Sequence, residues 1–334
     1  MSAGPVQREG DPRPISSPGA QRTPDFFLAG HHKSGTTAMY EMLTQHPQIF
    51  MPELKEPHFL ATDRRSRFGS PADLPTTLEQ YLALFEPALP EQLAGEASAS
   101  YLWSRTAAAE IARLSPGARI IGILREPASH LRSLHLNYQR LQWEDQPDLL
   151  TAVAASEARR EGREIPKRCP YPEMLIYADQ VNYAEQLRRY HEHFPREQVL
   201  ILIYDDFRAE NLATMRQVAG FLGVDETFAF RALDANTTTK AMRRQRLDDA
   251  ILSTALGENA TARTARAALR AVTPRRLRRG AVTGIRRKLV FGAPPPEDAG
   301  TMLELRRRFK GEVEAASEYL GRDLVALWGY DRLG

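Results

Sequence analysis

Three short apolar runs interrupt an otherwise mixed chain: Phe26–Ala29, Arg119–Leu124 and Val199–Tyr204. Each is continuous rather than alternating, as expected for strands of a parallel sheet covered on both faces. Apolar residues recur at three- and four-residue spacing over Leu78–Leu84, Ala107–Leu114, Leu131–Leu141, Tyr183–His193 and Ala209–Leu222, which predicts amphipathic helices. Alternating strands and helices imply βαβ units and an open, mostly parallel sheet with helices on both faces, a three-layer α/β/α architecture. Helical patterning resumes from Thr301 and runs to Trp328.

The segments outside this rhythm define the organisation. Met1 to Thr23 is rich in Pro, Gly and Ser and lacks an apolar core, so it reads as a disordered tail rather than a signal peptide. Residues 24–334 are expected to form one domain with two variable insertions, 141–176 and 259–296. The second has no acidic residue between Asn259 and Pro296, while basic residues accumulate from Arg263 to Lys288. That segment is either a solvated insertion or a surface for an anionic membrane or anionic acceptor.

Composition narrows the field. Apolar residues make up 42% and charged residues 26% of the 334-residue chain, ordinary values for a globular protein. A net charge of +3 gives no reason to expect nucleic acid as a partner. The single cysteine, Cys169, excludes an internal disulfide framework and any multi-cysteine metal site. No apolar run reaches about 18 residues, so no transmembrane helix is expected. Cytoplasm is the expected location, peripheral at a membrane if the basic segment binds one.

The chemistry concentrates after the first predicted strand, in Gly30-His31-His32-Lys33-Ser34-Gly35-Thr36-Thr37. A strand, a glycine-bracketed loop and a helix start together aim backbone N–H groups and a helix dipole at an anion. The Gly-x-x-x-x-Gly spacing is that of a Walker A loop, yet Thr36 stands where an NTPase carries lysine. The lysine lies inside the loop, at position 33. There its ammonium can stabilise charge on a leaving oxygen, while Ser34, Gly35, Thr36 and Thr37 hold the anion. The simpler reading is a strand–helix turn with a solvated lysine.

A second anion site is suggested by Arg125, at the end of a predicted central strand, with Ser133 about two helical turns further on. Guanidinium and hydroxyl together suit a phosphate.

These two elements, with Lys55-Glu56-Pro57-His58-Phe59, Gly95–Leu102 and Phe221-Leu222-Gly223, resemble the sulfotransferases that use 3′-phosphoadenosine 5′-phosphosulfate (PAPS). The likeness runs from about residue 25 to 235 and is strongest to bacterial and heparan sulfate-type members. It implies a P-loop-type fold, PAPS as donor and PAP as product, and no required metal. It also implies that Lys33 assists the leaving group and that Arg125 and Ser133 take the 3′-phosphate. Glu56 is then the better candidate for the base that accepts the acceptor's proton, with His58 as runner-up or acceptor-orienting group; both could instead merely anchor a loop. The acceptor would be a hydroxyl of a glycan, glycolipid or secondary metabolite. Ala97 and Ala99 depart from the heparan sulfate-type pattern of lysine and proline, and His130 stands where many relatives place arginine, with Arg132 nearby.

Two rival functions follow from the same residues. An ATP-dependent small-molecule kinase would use Val199–Asp205 as a Walker B strand, its aspartate helping to hold Mg²⁺. A non-catalytic module would use the fold only to bind anionic surfaces.

Overall fold

The computed structural model describes residues 22–64, 66–69, 71–233, 241–242 and 291–333. Five strands form one sheet: β1 (Phe26–Leu28), β2 (Ile49–Phe50), β3 (Leu93–Ala97), β4 (Arg119–Leu124) and β5 (Val199–Ile203). Their spatial order is β2-β3-β1-β4-β5, and every pairing is parallel. The helices are α1 (Thr36–Leu43), α2 (Leu78–Leu82), α3 (Ala107–Leu114), α4 (Pro127–Leu141), α5 (Leu149–Ala154), α6 (Ser156–Arg160), α7 (Tyr183–His191), α8 (Tyr204–Ala209) and α9 (Asn211–Leu222). A short antiparallel pair, β6 (Ala241–Met242) and β7 (Phe291–Gly292), precedes α10 (Ala299–Arg308), α11 (Lys310–Leu320) and α12 (Leu324–Leu327).

The strand side chains sort the molecule into three layers, as their period of two requires. Phe27, Ile120 and Ile203 face one core, shared with buried residues of α3, α4, α7 and the C-terminal helices. Phe26, Leu28, Ile121 and Ile123 face the other, against Met39 and Met42 of α1 and Met215, Val218 and Leu222 of α9. β1 and nearly all of β4 are buried on both faces and β5 is buried at its end, which explains why these strands read as continuous apolar runs. Among the described residues no helix is long and apolar enough to cross a membrane.

Two strands escape the hydrophobic pattern. β2 has only two residues, and β3 is Leu93-Ala-Gly-Glu-Ala97, a sequence of low strand propensity. Gly95 is needed because a Cβ there would collide with the Phe26 ring and Met51. β3 nevertheless lies beside β1 in register, Phe27 opposite Glu96.

Residues 141–176 carry α5 and α6 and enter the main core through Leu149, Val153, Tyr171 and Leu175. Glu144 and Arg159 form a two-pronged ion pair there, both bonds at 2.8 Å. The basic segment Arg263–Lys288 and the tail before residue 22 lie outside the described residues.

Position follows from topology. From β1 the chain moves to β2 and β3 on one side, then crosses to β4 on the other. The crevice at the carboxyl ends of β1 and β4 is therefore the switch point where open α/β sheets bind ligands.

Candidate functional site

The loop after β1 fills that crevice. Gly30 is required by crowding, since a Cβ there would meet Thr36 Cγ2 at 2.8 Å. Lys33 and Gly35 both take left-handed backbone conformations, with φ of 67° and 91°. For lysine this is a strained choice, of order 1 kcal/mol, and such outliers concentrate at ligand sites. The turn delivers the chain into α1 with Gly35 as the N-cap, and no side chain caps that helix. Its first N–H groups therefore remain free to meet an anion. Ser34 is fully buried, and its Oγ has no hydrogen-bond partner among the described residues. A cavity of about 120 Å³ opens here, lined by His32, Lys33, Gly35, Thr36, Thr37, Ala38, Glu56 and Asn137.

Arg125 sits directly after β4, where its Nη1 donates to the Lys33 carbonyl at 2.8 Å. Its guanidinium lies 4.7 Å from the centre of the Tyr204 ring. The same ring lies close beside Gly35. Arg125 thus touches the loop itself. Glu126 caps α4 by accepting from the N–H groups of Ala128 and Ser129, and Pro127 opens the helix. On α4 the residues His130, Ser133 and Asn137 follow one another at helical spacing. His130 Nε2 is 3.1 Å from the His32 carbonyl, and Asn137 lines the cavity, so buried Ser133 lies on the loop-facing stripe between them. Arg132 is turned elsewhere, to the Pro295 carbonyl and Glu297. It does not substitute for an arginine at position 130.

Glu56 and His58 arrive from the segment after β2 and are fastened to the end of β3. The Glu56 N–H donates to the Ala97 carbonyl at 2.9 Å. The His58 N–H donates to Ser98 Oγ at 3.0 Å, and His58 Nδ1 lies 2.7 Å from Ser100 Oγ. Both residues have positive φ, 60° and 53°. Three of the five non-glycine residues with positive φ among those described, Lys33, Glu56 and His58, therefore border one site.

The Glu56 carboxylate has two differently occupied oxygens. Oε1 faces Lys55 Nζ at 3.2 Å, while Oε2 faces His58 Nε2 at 3.6 Å and His32 Nδ1 at 3.9 Å. Lys55 also donates to Thr37 Oγ1 at 2.8 Å, tying the carboxylate to α1. Burial alone would raise the Glu56 carboxyl, but these donors hold it well below the usual carboxylate range. Burial lowers His32, and it lowers His58 to about 4 against the pull of Glu56. Both shifts run toward the neutral imidazole. Burial also lowers Lys33, helped by Arg140 and Arg125 nearby.

The site thus gathers Lys33, Ser34, Gly35, Thr36, Thr37, Arg125, Glu56 and His58, with Ser133 on the helix alongside. His32, Lys55 and Asn137 complete it. Lys55 preceding Glu56 and His32 preceding Lys33 are visible in the sequence, but Asn137 gives no signal until α4 is placed. Asp205 lies on α8, where its carboxylate accepts from Trp328 Nε1 at 3.0 Å.

A family model described as Sulfotransferase family matches residues 24–228. The chain belongs to the sulfotransferase family. It is 30% identical over 213 residues to the bifunctional heparan sulfate N-deacetylase/N-sulfotransferase 3 of Homo sapiens, covering 61% of this chain and 22% of that protein. It is 27% identical over 217 residues to the heparan sulfate glucosamine 3-O-sulfotransferase 3B1 of Mus musculus, covering 64% of this chain and 50% of that protein. This sulfotransferase chain thus spans half or less of the length of these curated relatives. Its fold matches the crystal structure of a sulfotransferase from Alicyclobacillus acidocaldarius with a TM-score of 0.65 at 24% identity, over 92% of this chain and 99% of that one.

Proposed function

We propose that this sulfotransferase moves a sulfuryl group from PAPS to a hydroxyl of a carbohydrate-type acceptor. The observation that carries the reading is that Lys33, the open start of α1 and the Glu56 carboxylate border one cavity. Anion-holding groups and a proton acceptor are then within reach of the same bond. The unpartnered Ser34 hydroxyl and the uncapped α1 fit the 5′ side of the donor, and Arg125 with Ser133 fits its 3′-phosphate.

PAPS supplies an activated sulfuryl group. The chain's residues do the rest. Arg125, Ser133 and the loop fix the nucleotide so that the acceptor oxygen approaches sulfur in line. A new S–O bond forms as the bond to the phosphate oxygen breaks, and Lys33 steadies the charge left on that oxygen. The acceptor proton passes to Glu56, with His58 held by Ser100 to orient the incoming group. A kinase is disfavoured by the family match and by the engagement of Asp205 with Trp328.

The relatives' names divide between N- and O-sulfotransferases, so the deciding assay offers both hydroxyl- and amine-bearing sugars with sulfur-labelled PAPS. Transfer to a hydroxyl sugar in EDTA is expected. Lys33→Ala should lower the rate by about 10²–10³. Metal-dependent phosphoryl transfer from ATP, or an undiminished Lys33→Ala variant, would refute the proposal.

A further inference from the structure

The same carboxylate meets two imidazoles in a way that proton acceptance does not require. Glu56, His58 and His32 each offer one ligand atom within 4.8 Å of the others, the one such group among the described residues, and Glu56 Oε2 faces both His58 Nε2 and His32 Nδ1. The separations from Oε2, 3.6 and 3.9 Å, are close to the about 3.3 Å between donor atoms around a tetrahedral zinc. A contraction of a few tenths of an ångström would bring each imidazole nitrogen to that spacing from Oε2. Two histidines and one carboxylate, with a further position open, suit a divalent transition metal.

Three features favour a metal over a chance cluster. Ser100 Oγ, 2.7 Å from His58 Nδ1, orients the ring with Nε2 toward Glu56, as a second partner does for most metal-bound histidines. His32 presents Nδ1 to the same oxygen at 3.9 Å, so one nitrogen of each ring addresses Oε2. Lys55 occupies Oε1 and leaves Oε2 to the histidines. His32 and Glu56 line the cavity, so an ion can reach the set from it.

We propose that His32, Glu56 and His58 form an inhibitory site for a divalent transition metal such as zinc, whose occupancy removes Glu56 from proton acceptance. This rests on the assignment of Glu56 as base; metal binding itself does not. Zinc and transfer then compete for one carboxylate. A chelator stimulates the enzyme where it would silence a metal-dependent kinase.

The test has two arms on the full chain. In the first, Zn²⁺ titrated calorimetrically should bind with one equivalent, and Co²⁺ should give visible absorption bands of a tetrahedral ion. His32→Ala and His58→Ala, each checked for folding by near-ultraviolet circular dichroism, should weaken binding at least tenfold. Absence of binding, or equal affinity in both variants and the parent, overturns the site. In the second arm, Zn²⁺ should abolish sulfuryl transfer and EDTA restore it. Zinc binding without any effect on measurable transfer overturns the inhibitory role. A protein that binds zinc in the first arm but shows no transfer under any condition refutes the proposed function and leaves the metal site standing.

Discussion

Two carboxylate–cation pairs in this molecule look alike on paper and are built for opposite ends. Glu144 and Arg159 have side chains 0% and 1% exposed, are joined by two bonds of 2.8 Å, and are further satisfied by the Tyr177 hydroxyl and the Leu175 carbonyl. Glu56 and Lys55 are 29% and 20% exposed, joined by one contact of 3.2 Å. Around them lie positive φ angles and buried polar atoms without partners, His32 Nε2 and Ser34 Oγ. The first pair has no capacity left for a ligand. The second keeps an open side and an unsatisfied neighbourhood, which is what a site for substrates requires.

Breaking each pair should separate the two roles. The largest effect is expected at Glu56→Gln, which keeps the shape but removes proton acceptance: kcat should fall by about 10²–10⁴ with little change in donor affinity or melting temperature. Arg159→Ala should do the reverse. Leaving Glu144 buried and unpaired costs about 3–5 kcal/mol of stability, read by denaturant unfolding, and any surviving folded protein should keep its donor affinity.

A smaller effect sharpens the contrast through pH. His31 is fully buried beside Gln186, and burial lowers it from 6.5 to about 3. Above pH 6.5 the ring is neutral whether folded or unfolded and stability is unaffected. As pH falls from there toward 3, the unfolded chain takes up a proton that the core refuses, and stability is lost by on the order of 3 kcal/mol. Unfolding midpoints measured between pH 7 and 4 should fall accordingly, and His31→Gln should flatten the slope.

What the sequence revealed follows the same division. The loop from Gly30 to Thr37, Arg125 and the three apolar strands were legible because glycine spacing and continuous apolar runs are local signals. β2, β3, β6 and β7 were not. β3 is strand through its pairing with β1 and β2, and Phe26 and Met51 leave no room for a Cβ at Gly95, constraints set by residues far away in the chain. The helix start at Pro127 follows from proline's fit to a first helical turn, while the early helix at Tyr204, inside an apolar run, is not encoded by hydrophobic spacing. Glu56 and His58 were recognisable by their segment, but their anchoring by Ala97, Ser98 and Ser100 was not, since it depends on the unseen β3. The segment 141–176 shows weak periodicity in sequence, and its core residues Leu149, Val153, Tyr171 and Leu175 and the buried Glu144–Arg159 pair emerge only in the fold.

The most direct test of the central claim is calorimetric titration of the protein with PAP and with ATP, in EDTA and again with Mg²⁺. A loop with Lys33 inside it, bonded to Arg125 and with Ser133 on the helix alongside, should bind PAP without metal and far more tightly than ATP. Tight ATP binding that needs Mg²⁺, with no binding of PAP, would contradict it.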